Sequence, residues 1–182
     1  GGGLVGLTAA VSLAGICEKN KWRLCLIAPT AQQSDNRTTA LLMPSIKMID
    51  DIGIWEKCKP RSAPLKTMRF IDGSSRLIRS PTTEFRSREI DEDAFGYNIP
   101  NQVLLDTLNS ALETFDSVER IDARVEDMQL GSDHNLLVLD NGQSVNTRLI
   151  AAADGRESAL RQGAGIASRR WAYEQTAVTL SF

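Results

Sequence analysis

The 182-residue chain combines 42% hydrophobic with 24% charged residues and carries a formal net charge of −2. This composition is that of a soluble globular protein with room for one core, or for one domain and a smaller appendage. The absence of a basic surplus argues against a nucleic-acid partner, and a single histidine with three scattered cysteines argues against a metal site.

The first third of the chain alternates helical and extended patterns. Residues 4–18 are rich in Ala, Leu and Val and predict a helix, and "RLCLIAP" predicts a short buried strand that Pro29 ends. The apolar spacing from Thr38 to Ile54 predicts a second helix, whose start Pro44 interrupts.

The remainder is mostly extended. "LKTMRFIDGSSRLIRSP" predicts two strands that turn at "DGSS", and "DAFGYNI" predicts another strand before a helix in "NQVLLDTLNSALE". "SVERIDARVEDMQL", "NLLVLDNGQSV" and "NTRLIAAADG" predict a meander whose last strand ends in small residues, and "WAYEQTAVTLSF" predicts a final strand. This order predicts an α/β core that carries a second sheet.

The first residues form a glycine motif. Gly1, Gly3 and Gly6 satisfy G-x-G-x-x-G ahead of an Ala-rich helix. Such glycines allow a tight turn, close approach of the backbone to a pyrophosphate, and close packing of helix against strand, while the helix N-terminus supplies N–H donors. A flexible glycine leader is the alternative interpretation. Because the motif requires a preceding strand, we expect the chain to begin inside its domain.

The acidic residue that usually completes this motif is absent. It would end the second strand and hold an adenosine ribose, but the sequence there is "LIAP". Asp35 in the following loop is a candidate replacement, although a solvated loop aspartate is the simpler interpretation.

A second motif, D-G-x-x-S-x-L-R, stands in "AAADGRESALRQ". It resembles the DG motif of single-component flavin-dependent aromatic hydroxylases. The resemblance extends over most of the chain, through "RTTALLMPSIKMIDDIGIW", "YNIPNQVLLDTL" and "WAYEQTAVTLSF". Within that family the chain is most similar to the ubiquinone-biosynthesis hydroxylases, in which Tyr-x-Gln-x-Ala is typical.

The resemblance implies a fold and a domain division. The fold would be a Rossmann-like FAD/NAD(P)-binding α/β fold with an inserted antiparallel β-sheet that begins a substrate domain. Residues 1–65 and 100–165 would form the FAD-binding domain, and residues 66–99 and 166–182 would form part of the substrate-domain sheet.

The resemblance also implies cofactor-binding residues in both motifs. Gly1, Gly3 and Gly6 would line the pyrophosphate of FAD. Asp154 and Gly155 would help to bind both FAD and the reduced nicotinamide. The turn that Asp-Gly commonly forms is the structural alternative for the last two.

Three more cofactor contacts follow from the resemblance. Arg37 would reach the cofactor from the loop after the second strand, Asn101 would lie near the ribityl chain, and Val125 would offer its backbone to adenine. The structural alternatives are an exposed loop arginine, a helix N-cap and an ordinary strand valine. Ser158 and Arg161 are expected to cap and brace the turn after the DG motif.

The implied activity is hydroxylation of an aromatic ring by an FAD-dependent monooxygenase that uses NAD(P)H and O2. The implied substrate is a polyprenylated phenol in ubiquinone biosynthesis. No catalytic side chain is assigned, because the cofactor carries the chemistry. Another flavoprotein of the same fold, such as a halogenase or a reductase, and a non-catalytic FAD-binding module stay as alternatives.

The resemblance implies a small-molecule aromatic substrate, and the three scattered cysteines predict reduced thiols in a cytoplasmic protein. Peripheral contact with the inner face of a membrane, or a quinone-biosynthesis complex, stays open, as does the oligomeric state. The second FAD motif of the family, Gly-Asp with small residues and His, has no counterpart here. We therefore expect residues 1–182 to be the N-terminal part of a longer enzyme, inactive alone and weak in binding FAD.

Overall fold

The computed structural model describes residues 1–30 and 35–176. The chain divides into two compact units, the first formed by Gly1–Asp35 with Leu108–Phe182 and the second by Asn36–Thr107. The domain boundaries that the resemblance implies are not tested by this division and stay a prediction.

The described residues contain both helices and strands, with runs of consecutive strands in the middle and in the last third. In order they are α1 (Leu4–Lys19), β1 (Leu24–Ile27), β2 (Thr38–Leu42), α2 (Met43–Asp51), α3 (Trp55–Cys58), β3 (Ala63–Pro64), β4 (Thr67–Phe70), β5 (Thr83–Arg86), β6 (Gly96–Pro100), α4 (Asn101–Leu112), β7 (Val118–Ile121), β8 (Val125–Gln129), β9 (Asn135–Leu139), β10 (Ser144–Thr147) and α5 (Ala159–Gly163). Short 3₁₀ turns follow α3 and β5. None of the helices in the described residues has the length and hydropathy needed to cross a bilayer.

In the first unit, β1 and β7 pair in parallel, from Leu24 opposite Val118 to Ile27 opposite Ile121. Helix α1 packs on β1 and buries its Leu- and Ala-rich face, which confirms the helix and strand predicted there. Parallel pairing places the carboxyl ends of β1 and β7 at one edge of the sheet.

Strands β8, β9 and β10 of the predicted meander are present in the first unit, whereas "VERI" forms β7 and pairs with β1. Strands β8, β9 and β10 form an antiparallel sheet in the order β10-β9-β8, with the last turn at "DNG", where Gly142 takes a left-handed φ of +82°. Leu137 and Leu139 of β9 are buried together with Ala123, and this cluster forms the core under the sheet.

In the second unit, β6 is the central strand of an antiparallel sheet in the order β2-β6-β3. Ile99 of β6 is fully buried. Trp55 of α3 packs against Tyr97 of β6, with ring centroids 4.6 Å apart. The strand predicted from "DAFGYNI" and the helix predicted after Pro100 are both present.

One predicted helix starts later than expected. Residues 38–42 form strand β2, paired with Gly96–Pro100, and the helix α2 begins at Met43. The β-branched Thr38 and Thr39 suit a strand. Pro44 stands in the first turn of α2, where its missing N–H is no loss, so it marks the start of the helix instead of interrupting it.

The turn at "DGSS" is longer than predicted. Strands β4 and β5 form the expected hairpin, but residues 71–82 connect them, so "RLIRSP" is loop and not strand. The Asp72 carboxylate accepts the N–H groups of Ser74 at 2.9 Å and Ser80 at 3.0 Å and thereby closes the longer loop. Gly73 does not have the positive φ that a two-residue hairpin turn requires.

Two further strand predictions differ from the structure. Strand β10 ends at Thr147, and residues 148–153 of "NTRLIAAADG" form no strand, because no strand within 1–30 or 35–176 pairs with them. Residues 171–176 of "WAYEQTAVTLSF" likewise form no strand, and residues 177–182 lie outside the described part of the chain.

The burial of β6 predicts which isoleucines stabilise the second unit. Ile99→Ala should lower the free energy of unfolding by about 3 kcal/mol, because it leaves a cavity in a closed core. Ile90→Ala is the matched control, since Ile90 is 61% exposed and its truncation should cost well under about 1 kcal/mol. Urea denaturation followed by circular dichroism measures both, and equal losses would contradict the packing described.

Candidate functional site

The glycine motif is held in close contact with the DG motif. A Cβ added to Gly1 would overlap the carbonyl oxygen of Ala153 and lie 3.3 Å from Cα of Asp154. A Cβ added to Gly6 would overlap the carbonyl oxygen of Gly1. Only residues without a side chain allow these backbones to approach so closely, so the two motifs, far apart in sequence, meet in space.

Gly3 serves a different purpose. Nothing lies within 4 Å of a Cβ placed on Gly3, so the packing of the chain does not require glycine at this position. Gly3 is the N-cap of α1 and has no side chain that could accept the first N–H groups of the helix. No acidic side chain stands in the first turn to pair with them either. The first N–H groups of a 16-residue helix and the positive end of its dipole therefore border open space.

The DG motif is a turn clamped to the helix that follows. Gly155 takes a left-handed φ of +94°, which glycine adopts without strain. The Asp154 carboxylate accepts the backbone N–H of Leu160 at 3.2 Å and the hydroxyl of Ser158. The Ser158 Oγ in turn accepts the N–H of Arg161 at 2.9 Å, which confirms the capping role expected for Ser158.

These hydrogen bonds stabilise the ionised form of Asp154. Partial burial acts to raise the pKa of Asp154, but the hydrogen bonds from the Ser158 hydroxyl and the N–H groups of Leu160 and Ala159 outweigh it and lower that pKa below its ordinary value. The carboxylate is therefore ionised at neutral pH and faces the N-terminus of α5. Arg161 donates to the carbonyl of Arg156 at 3.2 Å and braces the same turn.

A cavity of about 1420 Å³ lies beside the two motifs within the first unit. Its wall includes four of the predicted cofactor-binding residues, namely Gly1, Gly6, Val125 and Asp154. The rest of the wall is provided mainly by α1, β1, residues 119–125 and residues 143–160, and more of it is apolar than polar. A cavity of this size and mixed lining can hold a ligand that has both apolar and polar parts.

Arg37 and Asn101 form a separate group in the second unit. The Asn101 N–H donates to the carbonyl of Arg37 at 2.9 Å, and the Asn101 Oδ1 accepts the hydroxyl of Thr39. Asn101 is 5% exposed and Arg37 is exposed. The first residue of α4 is thus tied to the segment that leads into β2.

Asp122 was not among the residues that the sequence singled out. It follows β7, and its Oδ1 accepts the N–H of Thr30 at 2.8 Å, just beyond the carboxyl end of β1. Hydrogen bonds from the hydroxyl and the N–H of Thr30 lower the pKa of Asp122. The neighbouring strand therefore brings a carboxylate to the end of β1, where the sequence itself has none. The only signal in the sequence is an aspartate directly after "SVERI".

A metal site would need a group of side chains that could bind the ion. In residues 1–30 and 35–176, no three His, Cys, Asp or Glu side chains are grouped so that they could hold a metal ion.

The chain is similar to curated proteins over its whole length. It is 31% identical to ubiquinone hydroxylase UbiL of Rhodospirillum rubrum over 187 residues, covering 100% of this chain and 42% of the relative. It is 27% identical to 3-demethoxyubiquinol 3-hydroxylase of Escherichia coli over 190 residues, covering 100% of this chain and 46% of the relative. The chain thus spans less than half the length of these curated relatives.

Solved structures share the fold. The p-nitrophenol 4-monooxygenase PnpA of Pseudomonas putida DLL-E4 superposes with a TM-score of 0.73 at 20% identity, covering 91% of this chain and 42% of that chain. At this identity the likeness shows the α/β fold with its antiparallel sheets. The FAD binding domain family matches residues 1–180. The chain therefore belongs to the FAD binding domain family.

Proposed function

We propose that this chain provides the FAD-binding part of a monooxygenase that hydroxylates the aromatic ring of a polyprenylated phenol in ubiquinone biosynthesis. The observation that carries the proposal is the contact of Gly1 with the Ala153–Asp154 backbone, and of Gly6 with Gly1, beside the cavity. Membership of the FAD binding domain family and 31% identity to a ubiquinone hydroxylase support it.

The residues of the first unit fit FAD. The open space at Gly3 and the first N–H groups of α1 suit a pyrophosphate, which is anionic and needs close approach to a backbone. Val125 lines the same cavity and is proposed to contact adenine. Asp154 and Gly155 are proposed to border the cofactor and the nicotinamide that reduces it. Their turn is held by the hydrogen bond from the Leu160 N–H of α5 to the Asp154 carboxylate.

The second unit contributes its own proposed contacts. Arg37 offers a guanidinium, which suits a phosphate or the edge of a flavin. Asn101 is held by Arg37 and Thr39, and it is proposed to contact the ribityl chain. A fixed amide at a helix start and an arginine just ahead of β2 would give directional contacts to a polar cofactor chain.

Bound flavin would supply the redox chemistry, with NAD(P)H as reductant and O2 as oxidant. The residues of this chain would then bind the cofactor, hold it rigidly and exclude water from it. The aromatic substrate would be a small molecule with a lipid tail. We propose in addition that such a substrate is met at a membrane surface or within a quinone-biosynthesis complex.

Gly3→Ala tests the pyrophosphate site. The added methyl group meets no protein atom within 4 Å, but it would occupy the space through which a pyrophosphate approaches α1. We expect the Kd for FAD to rise by about ten-fold or more, because charge-assisted hydrogen bonds are lost. Calorimetric titration of the chain with FAD measures this.

Gly15→Ala is the matched control for that variant. Gly15 lies in the same helix, is exposed, and also has nothing within 4 Å of an added Cβ. It should leave the Kd for FAD unchanged while stabilising the helix by up to about 1 kcal/mol. An unchanged FAD affinity in Gly3→Ala, with the helix intact by circular dichroism, would refute the pyrophosphate assignment.

Asp122→Asn tests whether Asp122 replaces the missing acid at the end of β1. A carboxylate that accepts ribose hydroxyl groups should make the chain prefer ADP over 2′-deoxy-ADP by about ten-fold. The Asp122→Asn variant should lose most of that preference, whereas Asp35→Asn should retain it. If Asp35→Asn lost the preference and Asp122→Asn kept it, the ribose contact would belong to the loop.

The activity itself is tested on the complete gene product that contains this chain. With FAD, NAD(P)H and a polyprenylated phenol, we expect NAD(P)H oxidation that the phenol stimulates, and a hydroxylated product that carries oxygen from ¹⁸O₂. Reduction of the substrate without labelled oxygen would indicate a reductase, and a halogenated product would indicate a halogenase. Bound FAD without turnover would indicate a non-catalytic module, and each of these results would overturn the proposal.

A further inference from the structure

The β4–β5 hairpin ends in a tip that leaves large apolar side chains in solvent. The hairpin tip is defined here as residues 71–82, which connect Phe70 to Thr83. Within it Leu77 is 102% exposed and Ile78 is 85% exposed. An exposure of this size means that these side chains project from the surface and contact almost nothing. Two adjacent projecting apolar side chains offer a site that can insert into an apolar environment.

Arginines flank these apolar residues on both sides, in the order Arg76-Leu77-Ile78-Arg79. Both arginines are exposed, and within the part of the chain that the structure describes neither forms an ion pair. Their charges are therefore available to an anionic partner, although the chain as a whole has a net charge of −2.

The acidic residues of the hairpin do not neutralise the tip. The Asp72 carboxylate accepts the N–H groups of Ser74 and Ser80 inside the loop. Glu84 pairs with Arg69 and Arg86 on the strands. The acidic stretch 89–93 follows β5 at the base of the hairpin, opposite the tip.

The tip is also built to present these residues. Asp72 bridges residues 74 and 80 and so fixes a loop between them, which contains the Arg-Leu-Ile-Arg segment. Phe70 and Phe85 pack edge to face across the strands, with ring centroids 5.7 Å apart, and they extend the apolar surface below the loop. A loop held at its neck can be pressed into a soft surface without unfolding the strands.

We propose that the hairpin tip docks on an anionic lipid surface, with Leu77 and Ile78 inserted among the lipids and Arg76 and Arg79 on lipid phosphates. A projecting tip suits a membrane better than a protein, because a protein partner would need a pocket for each side chain, whereas lipids separate to admit them. Arginine binds phosphate through a planar fork, and interfacial cations are attracted to anionic lipid.

This inference deepens the membrane contact in the proposed function by naming the surface and the lipid chemistry. It needs neither FAD nor turnover. A failed vesicle experiment would leave the hydroxylase proposal standing, and a failed hydroxylation assay would leave the membrane contact standing.

Vesicle sedimentation tests the proposal on the complete gene product that contains this chain. We expect binding to phosphatidylcholine vesicles that contain roughly one third phosphatidylglycerol, little binding to phosphatidylcholine alone, and weakening by salt. The double variant Arg76→Glu with Arg79→Glu should weaken binding by about 20-fold or more. Leu77→Ser with Ile78→Ser should weaken it by about ten-fold.

The charge-matched control is Lys47→Glu with Lys57→Glu, which changes the net charge equally at exposed positions on α2 and α3 of the same unit. It should weaken binding by less than about three-fold. Circular dichroism should show the same fold for all variants, because every changed side chain is exposed.

Three results would overturn the proposal. The first is no binding to the anionic vesicles. The second is binding that the tip variants leave intact. The third is an equal loss in the lysine control, which would show that general charge and not the tip is responsible. Capture of a protein by the tip without binding to vesicles would assign the surface to a protein partner instead.

Discussion

The close approach of two backbone segments governs the candidate site. Gly1 lies against the carbonyl of Ala153, and Gly6 lies against the carbonyl of Gly1, at distances that no Cβ would permit. This packing places the N-terminus of α1 beside the Asp154 turn, and α5 holds that turn through Leu160. Three features therefore lie side by side: the start of α1, the left-handed turn and the cavity. The first N–H groups of α1 have no partner within the helix, so they can bind an extended anionic cofactor. The other cofactor contacts proposed in the first unit depend on this contact.

The parts of the fold that could be predicted were those in which local signals agree. Helix α1 and strand β1 follow from continuous apolar runs with clear ends, and the β9–β10 hairpin follows from "DNG" between alternating residues. The predictions were wrong where a partner strand, and not the local sequence, determines whether a segment is a strand. Thr38–Leu42 became a strand because β6 offers a partner, and residues 148–153 did not because none of the described strands does. The long β4–β5 loop depends on Asp72: its contact with Ser74 is a local Asx turn, but its contact with Ser80, farther along the chain, has no sequence pattern of its own.

In the candidate site, too, some features could be predicted from the local sequence and others depend on tertiary contacts. The capping role of Ser158 could be inferred from its position in the turn after Asp-Gly, and the structure bears it out. The contact between the glycine and DG motifs could be expected only from the resemblance to flavin-dependent hydroxylases, because no local pattern links residues 1 and 153. Asp122 could not be found at all, since its place beside Thr30 arises from the parallel pairing of strands that lie about 90 residues apart along the chain. The sequence thus predicts contacts between neighbouring residues, whereas contacts between residues far apart in the sequence are known only from the fold.

The central claim is that the α1 N-terminus and the Asp154–Gly155 turn bind one dinucleotide. Amide chemical shifts of the ¹⁵N-labelled chain during titration with FAD test it most directly. We expect the largest shifts to fall together on residues 2–6 and 153–156, with one common Kd. Shifts confined to one of these two segments, or centred elsewhere in the chain, would contradict it.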